Sequence, residues 1–470
     1  MTSSTPPASN LSSESDELST TDVVSDLGPE PDNGTDISAI AATAPVEGGV
    51  RAYLQNYVGR VRSGEMGSLP AVAGLIVLVV VFWALRSEFG SLSNFSDLLK
   101  QSSFTIFIAM GLVFVLLLGE IDLAAGTAAG VCAALMARMS VGYNWPWPLA
   151  ILAALVAGLA IGLLTGTLCA KVRIPSFVVT LALFLAFQGV SLFIILNGPG
   201  AHGNISITDS FITNIYNGQM DPWLGWVLAI VSVVAYALIK LSQVRSRSRA
   251  GLIAEPMALV AIKVLALAVV AAVAVYLLNL NRGGKGGSQL INQNGVLVLV
   301  KPPELRGVPW VVLLTLVFFA LWTFVLTRTR YGRHVYAVGG NTEAARRAGI
   351  RVDRIRISVF VISSFMAAIG GILLASNTHS VDANTGGGNT LLLAVGAAVI
   401  GGTSLFGGRG RPADAIIGGL VVAVIANGMA DLVQGNNRDS IQYIVTGAVL
   451  LLAAAVDALS RRRAGAAGLA

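Results

Sequence analysis

The stretch Thr329-Arg330-Tyr331-Gly332-Arg333-His334-Val335-Tyr336-Ala337-Val338-Gly339-Gly340-Asn341-Thr342-Glu343-Ala344-Ala345-Arg346-Arg347-Ala348-Gly349-Ile350 is a polar, arginine-rich interruption in an otherwise apolar chain. Apolar runs flank it at about 309–327 and 355–375, each near the roughly 20 residues that cross a bilayer as a helix. It is therefore a loop at a membrane face, and its end reads as a very short helix. Asn341 can cap that helix, and Glu343 sits in the first turn, where a carboxylate suits the positive end of the dipole. Gly349 is the C-terminal stop. Ala344, Ala345 and Ala348 recur three or four apart and form one small, smooth face. Two turns of helix are not stable in water alone. The helix has to be braced by a membrane domain and seated in a partner's socket.

Composition agrees with this frame. The chain has 470 residues, of which 54% are hydrophobic and only 12% charged, and its mean hydropathy is +0.74. Soluble domains carry about 25% charged residues, so the chain is expected to be an all-α polytopic membrane protein. Cys132 and Cys169 are the only cysteines, which excludes a disulfide framework and a CxxC metal site. His202, His334 and His379 lack ligand spacing, and no metal site is expected. The net charge of +6 falls mostly in loops between apolar runs, as membrane topology requires, so no nucleic-acid partner is expected.

Residues 1–66 form the first unit, with a Ser-, Asp-, Glu- and Pro-rich composition that reads as a disordered acidic tail; positions 1–50 hold no Lys or Arg. Residues 67–460 are the membrane domain, with the polar loop at 328–354, and 461–470 form a basic tail. About twelve transmembrane or re-entrant segments fall near 69–86, 102–119, 121–140, 147–169, 177–197, 223–240, 258–280, 309–327, 355–375, 391–405, 413–432 and 441–459. Gly126 and Gly130 interrupt the third, and Gly396, Gly401 and Gly402 the tenth. Either is a re-entrant or discontinuous segment, tolerated where backbone lines a cavity or is buried in protein.

Counting from a cytoplasmic N-terminus puts Lys171, Arg173, Lys240, Arg245, Arg409 and Arg411 inside, together with the 328–356 loop and the tail Arg461–Arg463. Loop 198–222, on the outside, has no Lys or Arg. Both termini and the opening stretch are thus cytoplasmic by the positive-inside rule. Arg86, Lys100, Arg138, Arg438 and the group Arg282, Lys285, Lys301 and Arg306 run against it; a miscount of one span near 250–310 would account for that group.

No signature of catalysis appears. The sequence has no G-x-x-x-x-G-K-[ST], so it offers no phosphate-binding loop of its own. Gly198-Pro199-Gly200-Ala201-His202-Gly203 spells G-x-G-x-x-G but opens no βαβ unit. H-E-x-x-H and G-x-S-x-G are absent. Among intramembrane polar residues, Asp122, Gln188 and Asn427 are the candidates for a translocation path. Asp122 is either a path or proton-relay group or the cap of the helix that follows; Gln188 and Asn427 either hydrogen-bond a polar solute or join helices.

Four ordered blocks resemble the ribose/xylose-type permease subunits of bacterial ABC importers. They are Gly119-Glu120-Ile121-Asp122-Leu123-Ala124-Ala125-Gly126, similar to that family's GGIDLSVG; Ile174-Pro175-Ser176-Phe177-Val178-Val179-Thr180-Leu181; Gly332 to Ile350; and Ala398 to Gly410, followed by Asn427-Gly428. Glu120 stands for the usual Gly, and Ala124-Ala125 for Ser-Val. Glu343-Ala344-Ala345-x-x-x-Gly349 matches the E-A-A-x-x-x-G core of the loop that importer permeases insert into their ATPase. The resemblance implies that Glu343, Ala344, Ala345 and Gly349 form a coupling helix, with Asn341 as its cap and Arg346 and Arg347 rimming the contact. It further implies ABC ATPase subunits that bind the ATP, an extracytoplasmic sugar-binding protein, a second permease copy and an inner-membrane location, with no cofactor in this chain. The segment 241–308 looks like the xylose-type members, so xylose is the expected pentose. A proton-coupled carrier of the major facilitator type is the alternative, but Thr329 stands where its loop signature has Asp.

Overall fold

The computed structural model describes residues 68–455, apart from 200–202, 252–254, 283–288, 294–295, 301–304, 433–439, 450 and 453–454. The expected tails at 1–66 and 461–470, and Arg438, lie outside the described residues. Each of the twelve apolar segments has become one helix. They are α1 (Leu69–Leu85), α2 (Leu92–Leu117), α3 (Ala125–Ala137), α4 (Trp147–Ala170) and α5 (Ser176–Leu196). After a short α6 (Ser210–Asn217) come α7 (Pro222–Arg249), α8 (Met257–Asn279) and α9 (Trp310–Arg328). The polar stretch forms α10 (Arg330–Gly340) and α11 (Thr342–Arg347), followed by α12 (Val352–Thr378), α13 (Asn389–Gly401), α14 (Pro412–Leu432) and α15 (Ser440–Val449). Among the described residues nine of these helices are long and apolar enough to cross a membrane, α3 being counted with the π-helical turn Arg138–Gly142 that continues it. The fold is all-α and polytopic.

Prolines set several boundaries. Pro146, Pro175, Pro256 and Pro309 stand in extended conformation immediately before α4, α5, α8 and α9, where a missing N–H costs nothing. Helices α6 and α10 and two small antiparallel strand pairs were not expected from the sequence. One pair joins β1 (Asn204–Ser206) to β4 (Ser380–Asp382), the other β2 (Gln289–Gln293) to β3 (Val296–Val300). Both lie at the end of the bundle opposite the arginine-rich loop; we call the two ends the far end and the basic end. Spans α7, α8 and α9 follow the expected count, so no miscounted span underlies the basic residues of 281–308.

Helices α2, α3, α12 and α14 form the interior. Phe107, Phe114, Met110 and Phe360 are fully buried there, and Phe114 meets Trp322 of α9 edge-on at 5.0 Å. The α4–α12 crossing is set by Gly158, Gly162 and Gly166, one helical turn apart. A Cβ on Gly162 would fall 2.5 Å from Val361 Cα, and one on Gly166 2.8 Å from Ile357 Cα. Helices α7 and α8 pair with each other and have only 11% of their spanning residues buried. Their Val, Leu and Ile side chains face outward, as the hydrocarbon of a bilayer requires. Trp145, Trp147, Trp223, Trp226 and Trp310 are exposed around the far end, forming one aromatic belt.

The close α4–α12 approach predicts that Gly162→Leu costs at least about 1–3 kcal/mol through overpacking. Gly74→Leu, where a Cβ would meet nothing within 4 Å, should be near neutral. Thermal midpoints of the two variants in detergent compare them directly.

Candidate functional site

The basic end is built on α10. Thr329 caps it by accepting from the Gly332 N–H at 3.2 Å, and Gly332, Val335 and Val338 turn inward on one face. Tyr331 Oη shares a 2.8 Å hydrogen bond with Ser358 Oγ of α12, and Tyr336 donates to the Gly410 carbonyl at 2.7 Å. Burial pushes the Tyr331 hydroxyl up to about 12, so this joint does not titrate near neutral pH. Gly339 lies so close to the end of α2 that a Cβ would fall 1.9 Å from the Leu117 carbonyl. That carbonyl accepts the Gly408 N–H at 2.8 Å.

Helix α11 follows after one extended residue. Asn341 accepts from the Ala344 N–H at 2.9 Å, as expected of a cap. At the other end the Ile350 N–H reaches the Ala345 carbonyl at 3.1 Å and the Gly349 N–H the Arg346 carbonyl at 3.0 Å. With Gly349 at φ +82°, this is a Schellman cap, which a residue with a Cβ disfavours. Glu343 pairs with Arg346 at 3.0 Å and with Arg347 at 3.4 Å; these exposed pairs add little stability. The single face expected of the three alanines is divided. Ala345 is buried against the body at 4% exposure, whereas Ala344, Ala348 and Gly349 are exposed. Ala345 braces the helix, and the free small surface is the other three.

Beneath α11 lies a cleft of about 190 Å³ lined by Glu120, Arg173, Thr342, Arg346, Asp353 and Arg356, among others. Within it Arg356 Nε donates to Glu120 Oε1 at 2.5 Å, and Arg356 Nη1 reaches the Cys169 carbonyl at 3.3 Å. Glu120 belongs to residues 118–124, a non-helical break between α2 and α3. Asp122, two residues on, is buried; it accepts from Ser363 Oγ of α12 at 2.8 Å and from the Ala124 N–H at 3.0 Å. Ser363 is two turns beyond Arg356 on the same helix, so α12 grips the break at two points. Asp122 therefore ties the break to α12 and to Ala124, the residue before α3, without capping that helix, and its carboxylate faces protein.

The three candidate path residues do not converge. Asn427 of α14 donates to Gln101 Oε1 of α2 at 3.4 Å and is 9% exposed, so it joins two helices. Gln188 of α5 is partly exposed and sits beside Gly387, whose Cβ would lie 3.7 Å from Gln188 Nε2. Gly387 belongs to a turn, residues 383–388, between two of the apolar segments. The turn returns from β4 into the bundle and leads into α13, which has 13 residues and so is only about 20 Å long. That is two thirds of a hydrocarbon core. The tenth segment passes from the far end to the basic end as this turn followed by a short helix, the discontinuous one of the two expected possibilities. Gly126 and Gly130 do not break α3; they admit this turn. A Cβ on Gly130 would lie 2.3 Å from the Thr385 carbonyl. Three consecutive glycines flanked by Asn384 and Asn389 were the signal available in the sequence.

The sequence profile described as "Branched-chain amino acid transport system / permease component" matches residues 94–242 and 207–454. The chain belongs to that permease family. It is 34% identical over 393 residues to the xylose transport system permease protein XylH of Escherichia coli K12, covering 83% of this chain and 92% of that protein. Its identity to XylH of Haemophilus influenzae is 33%, over 83% and 95% of the two chains. The ribose import permease protein RbsC of Escherichia coli K12 is 28% identical over 82% of this chain and 92% of its own. No solved structure matches the chain. The resemblance carried by the four sequence blocks is thus borne out, and the geometry shows why they go together: all four meet around residues 117–122 at the basic end.

The Glu120–Arg356 pair predicts a specific energetic signature. Glu120→Gln and Arg356→Gln should each cost roughly 1–3 kcal/mol, less than a fully buried pair because Arg356 keeps 29% exposure. The double variant should cost less than the sum of the two. A double-mutant cycle on thermal midpoints in detergent checks this; strict additivity would remove the pair from the account.

Proposed function

We propose that this chain is the transmembrane permease subunit of an ATP-driven sugar importer, with xylose its foremost substrate. The observation that carries the proposal is α11: a capped, rigidly braced two-turn helix exposing Ala344, Ala348 and Gly349, with Glu343, Arg346 and Arg347 around them. Such a surface is small enough to enter a groove and charged enough at its rim to orient there. Family membership and the names of the relatives supply the class of reaction and the sugar. The sequence carries no phosphate-binding loop, so ATP is bound and hydrolysed by separate ATPase subunits. Two permease copies, each offering one docking helix, pair around the path, and an extracytoplasmic binding protein delivers the sugar.

Orientation follows from charge. Lys171, Arg173, Arg328, Arg330, Arg333, Arg346, Arg347, Arg351, Arg354, Arg409 and Arg411 all fall at one end of the bundle, which the positive-inside rule places in the cytoplasm. Two residues that ran against the rule, Arg138 and Arg282, are spent internally. Arg138 donates to the Ile194, Ile195 and Pro199 carbonyls at 2.5–3.0 Å, and Arg282 to Gln219 Oε1 and the Gly307 carbonyl. They serve as staples at the far end and not as topology signals. In the transport cycle, closure of the ATPases carries α11 as a rigid body. Helix α12, five residues further on, carries the motion to the break at 118–124 and so to α3.

Proton-coupled carriage is disfavoured by the family and by Asp122, whose carboxylate is held by two hydrogen bonds inside the protein. The test is uptake into proteoliposomes holding permease, ATPase and binding protein. Gly349→Pro, which cannot adopt φ +82°, and Glu343→Lys should lower ATP-driven uptake more than tenfold while the chain still inserts. Ala348→Trp should prevent the ATPase from co-purifying. Normal uptake by all three would overturn the docking role. Uptake that survives ATP depletion and collapses with the proton gradient would establish the carrier.

A further inference from the structure

The turn at 383–388 places polar groups where a membrane protein can least tolerate idle ones. Its depth can be read from α12. Gly371 packs against α3 so closely that a Cβ would fall 2.1 Å from the Ala129 carbonyl. Gly371 is seven residues, about 10 Å, inside the far end of α12 at Thr378. The turn lies beside Gly126 and Gly130 of α3, on either side of that same level, so it sits well inside the bundle.

Among the described residues, the hydrogen-bonding groups that adjoin it are neutral. Asn389 donates to Tyr443 Oη of α15, Gln188 adjoins Gly387, and Asn384 is exposed in the turn. Gly388 and Gly189 border empty space, with nothing within 4 Å of a Cβ at either. No charged residue occurs in 176–196, 383–401 or 440–449. Asp382, at the rim, is committed to its own turn: it accepts from the Asn384 N–H at 3.1 Å and from Thr385 Oγ1 at 2.8 Å. Arg138, further towards the far end, spends its guanidinium on carbonyls.

We propose that this niche, formed by Gln188, Asn384, the Gly386–Gly388 backbone, Asn389 and Tyr443, is the permease's own solute-recognition site, and that it selects an uncharged polyhydroxylated solute over a zwitterion. Amide and phenol groups both donate and accept, as sugar hydroxyls do. An amino acid's carboxylate and ammonium, in contrast, would find no charged partner among these groups and would meet a large desolvation cost. The proposal rests on the importer reading for what moves, and on the niche for where it is recognised.

The experiment uses the full complex in proteoliposomes, with radiolabelled xylose and with leucine as the zwitterionic probe. Wild-type complex should take up xylose and not leucine. Gln188→Leu and Tyr443→Phe should each reduce xylose uptake about tenfold, the loss of one hydrogen bond at a site without competing water, while sugar-independent ATPase activity is kept. A Gln188→Cys variant reports accessibility separately, because Cys132 and Cys169 are buried. It should react with a membrane-impermeant thiol reagent added from the far side, and xylose should slow that reaction. Wild-type uptake by both substitution variants, or an unreactive thiol at position 188, overturns the niche. Rates are taken relative to wild type, so they judge the niche whatever powers uptake. Dependence of wild-type uptake on ATP judges the importer reading by itself.

Discussion

Backbone polar groups left unpaired where a helix ends must find other partners, and the break at residues 118–124, at the basic end, is where this constraint bears hardest. Helix α2 ends at Leu117 and α3 does not begin until Ala125. In between, the Ile121 N–H takes Ser176 Oγ at 3.3 Å and the Ile121 carbonyl takes Thr180 Oγ1 at 3.2 Å. The Leu117 carbonyl takes the Gly408 N–H. Glu120 and Asp122, on either side of Ile121, are engaged by Arg356 and Ser363. One interruption in a helix thus recruits α5, α12 and the 406–410 loop. Each buried group left unmet would cost about 1–3 kcal/mol, so these partners hold the break in one conformation.

The same constraint explains why the basic end is rigid. Helix α10 needs its Gly339 to lie against the Leu117 carbonyl, and Gly407 approaches both Gly119 and Gly339, its Cβ position 2.9 Å from the Gly119 nitrogen and 3.0 Å from the Gly339 carbonyl. These are backbone-to-backbone contacts without flexible side chains between them. Helix α11, which could not persist in water alone, inherits its order from that junction through the buried Ala345 and its two caps. This is how a six-residue helix is held in place, as the proposed docking role requires.

Much of this was legible in the sequence, and what was not has physical causes. Twelve apolar runs gave twelve helices because burial in lipid is a matter of composition. The caps at Asn341 and Gly349 were legible because they are local. Helix α10 was missed: Gly332, Gly339 and Gly340 lower its helix propensity, and the reason for two of them, close approach of Gly339 to α2 and of Gly332 to α9, lies in the packing. The three-residue spacing of Gly332, Val335 and Val338 opposite Arg330, Arg333 and His334 was a usable signal. Gln188 and Asn427 had equal standing as polar residues within spans. Only the fold separates them, since Asn427 finds Gln101 while Gln188 finds a turn with open space beside it. The turn itself could not be placed from sequence, because a Gly-rich loop at membrane depth and one in water read alike. Its depth follows from the shortness of α13 and from Gly126 and Gly130, whose missing side chains make room for it.

The two regions of interest are joined by close-packed structure throughout. From α11 the chain passes directly into α12, which holds Glu120 through Arg356 and Asp122 through Ser363, and meets the α3 backbone through Gly371. Helix α3 in turn carries the turn at 383–388 against Gly126 and Gly130. A displacement of α12 along α2 therefore has two discrete outcomes: the break moves with it, or the Arg356–Glu120 and Ser363–Asp122 contacts part. Neither is a gradual deformation, because close-packed interiors switch between arrangements more readily than they stretch. Since the niche rests on α3, any step that moves the break also changes the shape of the niche. The proposed docking at one end and the proposed recognition near the other then require no separate linkage, only the packed contact of α12 with α3.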